Sequence, residues 1–556
     1  MPISQTAERG VGASNPYTIV SVRKNAPAAR CNACGEIFTL KSNAGVAEET
    51  LRILADTLTH TACPDALCAN HRVPVETPGV YQAFGETPIG SKRYRCKACR
   101  KTFSVKPSGI NPIAKQQQSD KNRTLLALIT NKMPLRRICE AADVSPPVLY
   151  QRIDFFHEQA LAFLADRERH LEHMEFKRLY LGVDRQDYAV NWSGRKDKRN
   201  VMLSAVASAD NGTGYVFGMH VNFDPELDPD EVETAACVAG DSLAAYPHRK
   251  FARLWLKSDF AEAIAATRKQ QSKGDLDSTI ATPYANTLQR PDTEAADIPC
   301  IEDRLPAKGM LVHSEYTLHG HFLALRRLLA GTEKIRFFLD QESGIRGACI
   351  GAFSDLILQQ RCDAFYVSIA KHLTVDEKRH RLNDAEALFA EAAASMPGMN
   401  EVAVKLALLK QRIAEGKSIG PWKDRWVRHP LPTISEPEKA LCYLTDFGQY
   451  DDDPDHLAWL YNKASLHSVD SFFNRLRRRF VMLERPISSA ANRGRVWNGY
   501  SAYRPEQIAK LLTIARVCHN YVWLGEGKKA KTRGTPAMRL GLAKAPLDLS
   551  DIIYFR

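Results

Sequence analysis

The sequence predicts a multidomain α+β protein: a zinc ribbon, a helix-turn-helix, then a mixed β-sheet flanked by helices and carrying a mostly helical insertion. Three observations predict it. Cysteine pairs crowd the first hundred residues, as Cys63-x4-Cys68 and Cys96-x2-Cys99. Apolar residues then recur at helical spacing in three short runs between Asn122 and Leu164. From Lys177 the pattern changes to strands, and later to strand–helix–strand alternation, the order of a mixed sheet with helices on its faces. At 556 residues the chain exceeds a single core, so several domains are expected.

Residues 1–22 are polar and aperiodic and read as a loose tail. Residues 23–110 form the cysteine region. Within it CNACGEIFTLKSN (31–43) resembles CKACRKTFSVKPS (96–108), each a knuckle leading into a short strand, with a helix, AEETLRILADTLTH, between them. Four thiolates at tetrahedral reach satisfy one Zn²⁺ and leave no open position, so Cys63, Cys68, Cys96 and Cys99 are expected to hold a structural ion. Cys31 and Cys34 need two more ligands for a second zinc. His60 and His71 are the nearest suitable side chains; otherwise these two cysteines join another pair and the histidines are bystanders.

After a linker, residues 118–175 carry ICEAADVSPPVLYQRI: an alanine-rich helix, a turn, Ser145 as N-cap and prolines at the first helical positions. That is the pattern of a helix-turn-helix, or of an ordinary three-helix packing unit. Its recognition helix, about 147–156, would present Tyr150, Gln151 and Arg152. Residues 176–371 read as the sheet core: RLYLGVDRQDYAVNW and NVMLSAVASADNGTGYVFGMHVNF as strands broken at DNGTG, an acidic helix, a helix at HGHFLALRRLLAG, then strand (KIRFFLDQES), helix and strand (DAFYVSIA). Residues 372–462 are charged and read as a helical insertion, 463–530 as helices returning to the core, and 531–556 as a basic tail.

The formal net charge of +12 favours a polyanionic partner. Basic residues gather at KRYRCKACRK (92–101), RRRF (477–480) and GKKAKTR (527–533), although each patch taken alone reads better as a solvated face. Cysteines in CxxC-type pairs point to metal binding rather than disulfides, hence to a cytoplasmic, bacterial, nucleoid-associated protein. No apolar stretch is long enough for a bilayer, so no membrane partner is expected.

Three carboxylates carry the chemical expectation. Asp184 ends the strand LYLGVD, Asp340 ends IRFFLD, and Asp470 opens the helix SVDSFFNRLRRRF. Phosphodiester cleavage and strand transfer use two divalent metals about 4 Å apart, held by hard oxygen ligands. Mg²⁺ suits such a site, with Mn²⁺ as the alternative, because it takes few carboxylates and keeps its waters. The plainer reading of each aspartate is a turn or cap residue. Glu342, Glu484, Asp187 and Asp259 compete. Glu484 lies fourteen residues beyond Asp470, about 21 Å along a helix, so the two cannot share one metal pair. Asp470 is preferred because Asn474, Arg477 and Arg478 follow one and two turns on, where they could meet a phosphate backbone.

The segments CPDALC, RYRCKACRKTFS and ICEAADVSPPVLYQRI look like the N-terminal DNA-binding part of bacterial insertion-sequence transposases of the DDE/D type. SVDSFFNRLRRRFVMLERPISS and RPEQIAKLLTIARVCHNYVWL are similar to that family's last catalytic helix and the helix trailing it. The resemblance implies a ribonuclease-H-like catalytic core in which Asp184 and Asp340 match the first two metal-binding aspartates. Asp470 stands where many members carry glutamate, and the shorter side chain requires the helix to sit closer to the metals. It further implies Mg²⁺-dependent cleavage and transfer of double-stranded DNA by a homo-oligomer. The alternatives are a catalytically inactive or domesticated sequence-specific DNA-binding regulator, and a structure-specific nuclease that cuts without joining.

Overall fold

The computed structural model describes residues 17–21, 27–32, 37–58, 61–88, 90–105, 113, 116–191, 196–266, 299, 302–342, 344–370, 373–419, 424–485, 487–488, 496–497, 499–525 and 533–555. It is a mixed α+β protein built around one large sheet.

Three short antiparallel strands come first, β1 (Tyr17–Ser21), β2 (Ala28–Cys31) and β3 (Ile37–Thr39). The end of the expected loose tail is therefore strand, because Tyr17, Thr18 and Ile19 pair with Cys31, Arg30 and Ala29. Helix α1 (Asn43–Leu58) follows, then the three-stranded antiparallel ribbon β4 (Tyr81–Glu86), β5 (Lys92–Cys96) and β6 (Thr102–Ser104). Helices α2 (Asn122–Ile129), α3 (Leu135–Ala142) and α4 (Pro146–Glu168) form the predicted three-helix unit. Asp143, in the left-handed region at φ 48°, ends α3, and extended Ser145 followed by proline starts α4.

The main sheet opens with β7 (Phe176–Val190), β8 (Val201–Asp210) and β9 (Val216–Val221), an antiparallel meander. The short pair β10 (Phe223–Asp224) and β11 (Met310–Leu311) brackets helices α5 (Pro229–Ala239) and α6 (Lys257–Ala266). Helix α7 (Ser314–Leu328) leads to β12 (Thr332–Asp340), α8 (Ile345–Leu358) and β13 (Cys362–Ile369). Strands β7, β12 and β13 run parallel. Such strands are covered on both faces, and β13 is accordingly buried throughout.

The stretch 372–462, expected as a helical insertion, is only partly so. After α9 (Val375–Ser395) and α10 (Glu401–Ala414) it supplies β14 (Lys417–Ile419), β15 (Asp424–Arg428) and β16 (Lys439–Tyr443), which extend the sheet to eight strands. The order is β14-β15-β16-β13-β12-β7-β8-β9. The apolar run Ala440, Leu441, Cys442 caps what would otherwise be an open edge at β13. Helices α11 (Pro454–Lys463), α12 (His467–Arg479) and α13 (Pro505–Val517) follow, and a hairpin of β17 (Ile487–Ser488) with β18 (Val496–Trp497) lies between the last two. Short helices α14 (Pro536–Leu540) and α15 (Leu549–Ile553) end the chain.

Aromatic packing divides the two faces of the sheet. Phe337 meets Phe322 of α7 and Phe353 of α8 on one face. One residue on, Phe338 meets Tyr180 and Phe365, and Phe365 meets Tyr461 of α11 on the other. The three-helix unit is not a separate head. The second half of α4 enters the same core, where Phe163 packs edge-on against Tyr521 and Phe555. There Glu168 forms a fully buried ion pair with Arg516 of α13.

Candidate metal centres and nucleic-acid surfaces

The first site follows from the ribbon. Cys63 and Cys68 lie in the turns before β4, while Cys96 ends β5 and Cys99 lies in the turn to β6. One Sγ from each stands within 4.8 Å of all the others. Cys63 Sγ is 3.4 Å from Cys99 Sγ, and Cys68 Sγ is 3.7 Å from Cys96 Sγ. Zn–S bonds of about 2.3 Å in a tetrahedron require sulfurs about 3.8 Å apart, so the donor set fits zinc. Arg100, at φ 68°, closes the second knuckle, and its N–H donates to Cys96 O at 3.0 Å. The Asn70 amide donates to Cys96 Sγ at 3.2 Å, and Asn70 N–H to Cys68 Sγ at 3.4 Å, support of the kind that orients metal ligands. Burial opposes ionisation of Cys96, but the N–H of Cys99 and the Asn70 amide outweigh it and bring the thiol down to about 6. Burial pushes the Cys63 thiol up.

The proposed second zinc falls largely outside the described residues: Cys34, His60 and the side chain of Cys31 are not among them. His71 is described, and both its ring nitrogens are engaged. Nδ1 lies 2.9 Å from Cys63 O and Nε2 lies 3.0 Å from Glu226 Oε2. In this arrangement His71 docks the knuckle rather than turning to a second ion. Beside it Arg72 reaches Asp224 and Glu226 at 2.7 Å each. Fully buried Asp224 also accepts from Arg253, which in turn reaches Glu49 of α1 at 3.1 Å. Burial alone would raise the Asp224 pKa, but Arg253 and Arg72 hold it well below the usual carboxylate range.

The second site lies on the central strands. In the parallel register Leu339 stands opposite Val183, so Asp340 follows immediately beside Asp184, on the face that Phe338 and Gly182 share. Both aspartates are 5% exposed. Glu342, in the turn after β12, joins them, and one oxygen from each of the three lies within 4.8 Å of the others. Its Oε2 is 2.8 Å from Arg185 Nε, and Arg185 also donates to Ser314 at the start of α7.

Asp470 lies outside this tight group. Two contacts of α12 locate it. Where α12 begins, a Cβ on Gly182 would stand 3.5 Å from Leu466 Cα, ordinary contact distance, so the start of the helix packs directly over this strand position. Further along, Arg477 donates to Gln186 at 2.9 Å. Asp470 is one turn past Leu466, a rise of about 6 Å, and Asp184 is two residues past Gly182, about 6.6 Å. The helix therefore carries Asp470 past the aspartate pair. Asn474 and Arg478 are exposed on the same helix. Of the other competitors, Glu484 pairs with Lys132 and Asp259 with Arg249, while Asp187, three residues past Asp184 on β7, falls on the opposite face of the sheet.

On the three-helix unit, Tyr150 and Gln151 are exposed as expected. Arg152 is not: it is 6% exposed and its guanidinium donates to Gln117 O, so it is turned inward and corrects the expected recognition triplet. Sequence reasoning missed its neighbours. Tyr503 and Arg504 act electrostatically on the Tyr150 phenol, and Tyr500 on Arg137. Tyr500 and Tyr503 are 56% and 48% exposed, while Ser501 and Ala502 between them are buried and Ala502 O accepts from Asn191 at the end of β7. The alternation in NGYSAYR is the signal that could have found them.

Among the described residues no helix is long and apolar enough to cross a membrane. No protein-family model matches the chain, and no curated protein matches it.

Proposed function

We propose that this protein is a metal-dependent DNA transposase, which binds the ends of a mobile element and cleaves and transfers its strands. One observation carries the reading: Asp184 and Asp340 stand side by side on adjacent parallel strands, with Glu342 at hand, on the sheet face along which α12 carries Asp470. The strand order supports a ribonuclease-H-like core. Taken from β9 inward, the first five strands run third, second, first, fourth, fifth, with the first, fourth and fifth parallel.

Two divalent cations held there would activate an attacking oxygen and stabilise the leaving one. The residues of this chain set the stage for that chemistry. Asp184 and Asp340 supply hard oxygen ligands from a rigid scaffold, since their strands are locked by ladders on both sides. Glu342, paired with Arg185 and grouped with the two aspartates, would serve as a third ligand. Asp470, on the helix that runs along the same strand to Arg477 and Gln186, would complete the set. Arg478 and Asn474 remain free to face a phosphate backbone. The cysteine site would hold a structural Zn²⁺. Tyr150 and Gln151 would read base edges, while backbone contacts set register.

The test is strand cleavage and joining by the full chain on duplexes carrying the DNA that flanks its gene, with and without Mg²⁺. Joined products that vanish in Asp340→Asn, with duplex binding retained, support the proposal. Joining that survives both Asp184→Asn and Asp340→Asn removes the catalytic assignment. Binding without cleavage under any metal leaves a DNA-binding regulator, and cleavage without joining leaves a nuclease.

A further inference from the structure

The ribbon sheet has two unlike faces. Pairing partners share a face, so Tyr81, Ala83, Tyr94, Cys96 and Phe103 lie together on one side. That side carries the ribbon's own packing: the Tyr81 and Phe103 rings meet edge-on at 5.5 Å, and the Tyr81 hydroxyl donates to Asn70 O and Val73 O. The other side carries Gln82, Phe84, Arg93, Arg95, Thr102 and Ser104. Its most unusual member is Phe84, an aromatic ring 43% exposed on a strand that is otherwise polar outward. Both neighbouring guanidiniums stack on it, Arg93 at 5.5 Å and Arg95 at 5.6 Å from the ring centroid.

The backbone is bent to make this arrangement. Between the pairs Ala83–Tyr94 and Glu86–Lys92, two residues of β4 oppose one of β5. Gly85, at φ 81°, supplies the left-handed conformation that such a bulge uses. A bulge re-aims its side chains, and here it sets Phe84 over the arginine pair. Stacking orders two long side chains whose freedom would otherwise be lost on binding, and leaves the guanidinium edges to donate. Among the described residues no carboxylate pairs with Arg93 or Arg95; the nearest polar contact is Arg95 Nε to Arg100 O at 3.4 Å. Lys92 lies on the other face, opposite Glu86, and Lys97 is exposed in the turn after β5. The face is thus positive, uncompensated, preordered and fixed to the core through His71 and Arg72.

We infer that this outer face, centred on Arg93, Phe84 and Arg95, is a phosphate clamp that grips duplex DNA independently of its sequence. Base reading is left to the exposed start of α4. The inference rests on the DNA-binding part of the proposal above and not on its chemistry. Two guanidiniums gathered over one ring bring two sets of N–H donors close together, and such charged donors suit phosphate oxygens. Such contacts release counterions, so each adds about 0.9 to the slope of log affinity against log salt.

The experiment measures fluorescence anisotropy of the full chain on two labelled duplexes, one from the flanking DNA and one scrambled, across a salt series. The variants are Arg93→Ala, Arg95→Ala, Phe84→Ala and Phe84→Tyr; zinc content and circular dichroism check that each is folded. Each arginine variant should lower the salt slope by about one and weaken binding about eightfold at 0.1 M salt, equally on both duplexes. Phe84→Ala should weaken both duplexes alike, and Phe84→Tyr should restore wild-type affinity. An unchanged slope in the Arg93→Ala, Arg95→Ala double variant overturns the clamp. So does a loss confined to one duplex, which would make these residues readers of sequence. Failure of the wild-type chain to bind any duplex would overturn the DNA-binding reading itself. Loss of strand joining with the clamp intact would overturn only the chemistry.

Discussion

The cysteine site and the carboxylate site are built in opposite ways. The four thiols come from two turns of one small hairpin sheet, each pair within five residues of itself, and they close on a space suited to one ion. The carboxylates come from strands separated by more than a hundred residues of sequence, and only the parallel register of β7 and β12 makes them neighbours. The first site holds its own segment together; the second borrows rigidity from the largest core of the molecule. Metal loss should therefore have different consequences in the two regions, structural in one and chemical in the other.

The largest effect is expected at the carboxylates. Asp184→Asn or Asp340→Asn should lower metal-dependent strand cleavage by at least about a thousandfold, as loss of metal ligation at a transition state does, while thermal unfolding in the absence of Mg²⁺ is unchanged or slightly improved by relief of like-charge repulsion. A parallel fall in stability would mean that the pair is structural, and the contrast between the sites would disappear.

At the cysteines the order reverses. Cys96→Ala should cost one equivalent of bound zinc and much of the folding free energy of the ribbon, since structural zinc contributes about 10 kcal/mol in small domains. Hydrogen exchange would locate the damage: amides of residues 63–104 should lose protection while those of β7, β12 and β13 keep theirs. Uniform loss across the chain would show that the two regions fold as one unit.

The seam between them is an ion network. Arg253→Ala removes the arginine shared by Asp224 and Glu49, leaving Arg72 and Arg52 on them, so the loss should fall at or below the lower end of the about 3–5 kcal/mol that breaking a buried pair costs, readable by denaturant titration. The same network predicts a pH effect. Its arginines depress the Asp224 carboxyl, so its contribution is fully present above an unfolded value of about 4 and is lost as pH falls through the folded value. Stability measured from pH 7 downward should hold until about 4 and then decline, and Asp224→Asn should remove part of that decline.

The smallest effect belongs to Glu342→Gln, which keeps shape and removes one charge. About a tenfold loss in cleavage, with a raised Mg²⁺ requirement, is expected of a supporting ligand held by Arg185.

What the sequence disclosed follows the same division. The four-cysteine group was legible because thiol spacing is local. Asp340 was legible as a strand end, whereas Asp184, expected to end LYLGVD, lies inside β7, which runs on to Val190; the adjacency of the two was not legible, because register depends on pairing across the sheet. Glu342 ranked as a competitor for that reason: two residues past a strand end says nothing of which way the turn folds back. Arg152 misled because helical spacing tells which residues share a face, not which face meets a neighbour, and here Gln117 lies against it. Strands β15 and β16 were hidden by the proline-rich break RHPLPTISEPEKA, which reads as an interruption within helices and is in fact the connection between two strands.

The most direct measurement of the central claim is Mn²⁺ binding to the full-length protein by isothermal titration calorimetry, comparing wild type with Asp340→Asn and with Cys96→Ala. A shared cation pocket on β7 and β12 predicts saturable Mn²⁺ binding that weakens at least about tenfold in Asp340→Asn and persists in Cys96→Ala. Equal Mn²⁺ affinity in wild type and Asp340→Asn would contradict it.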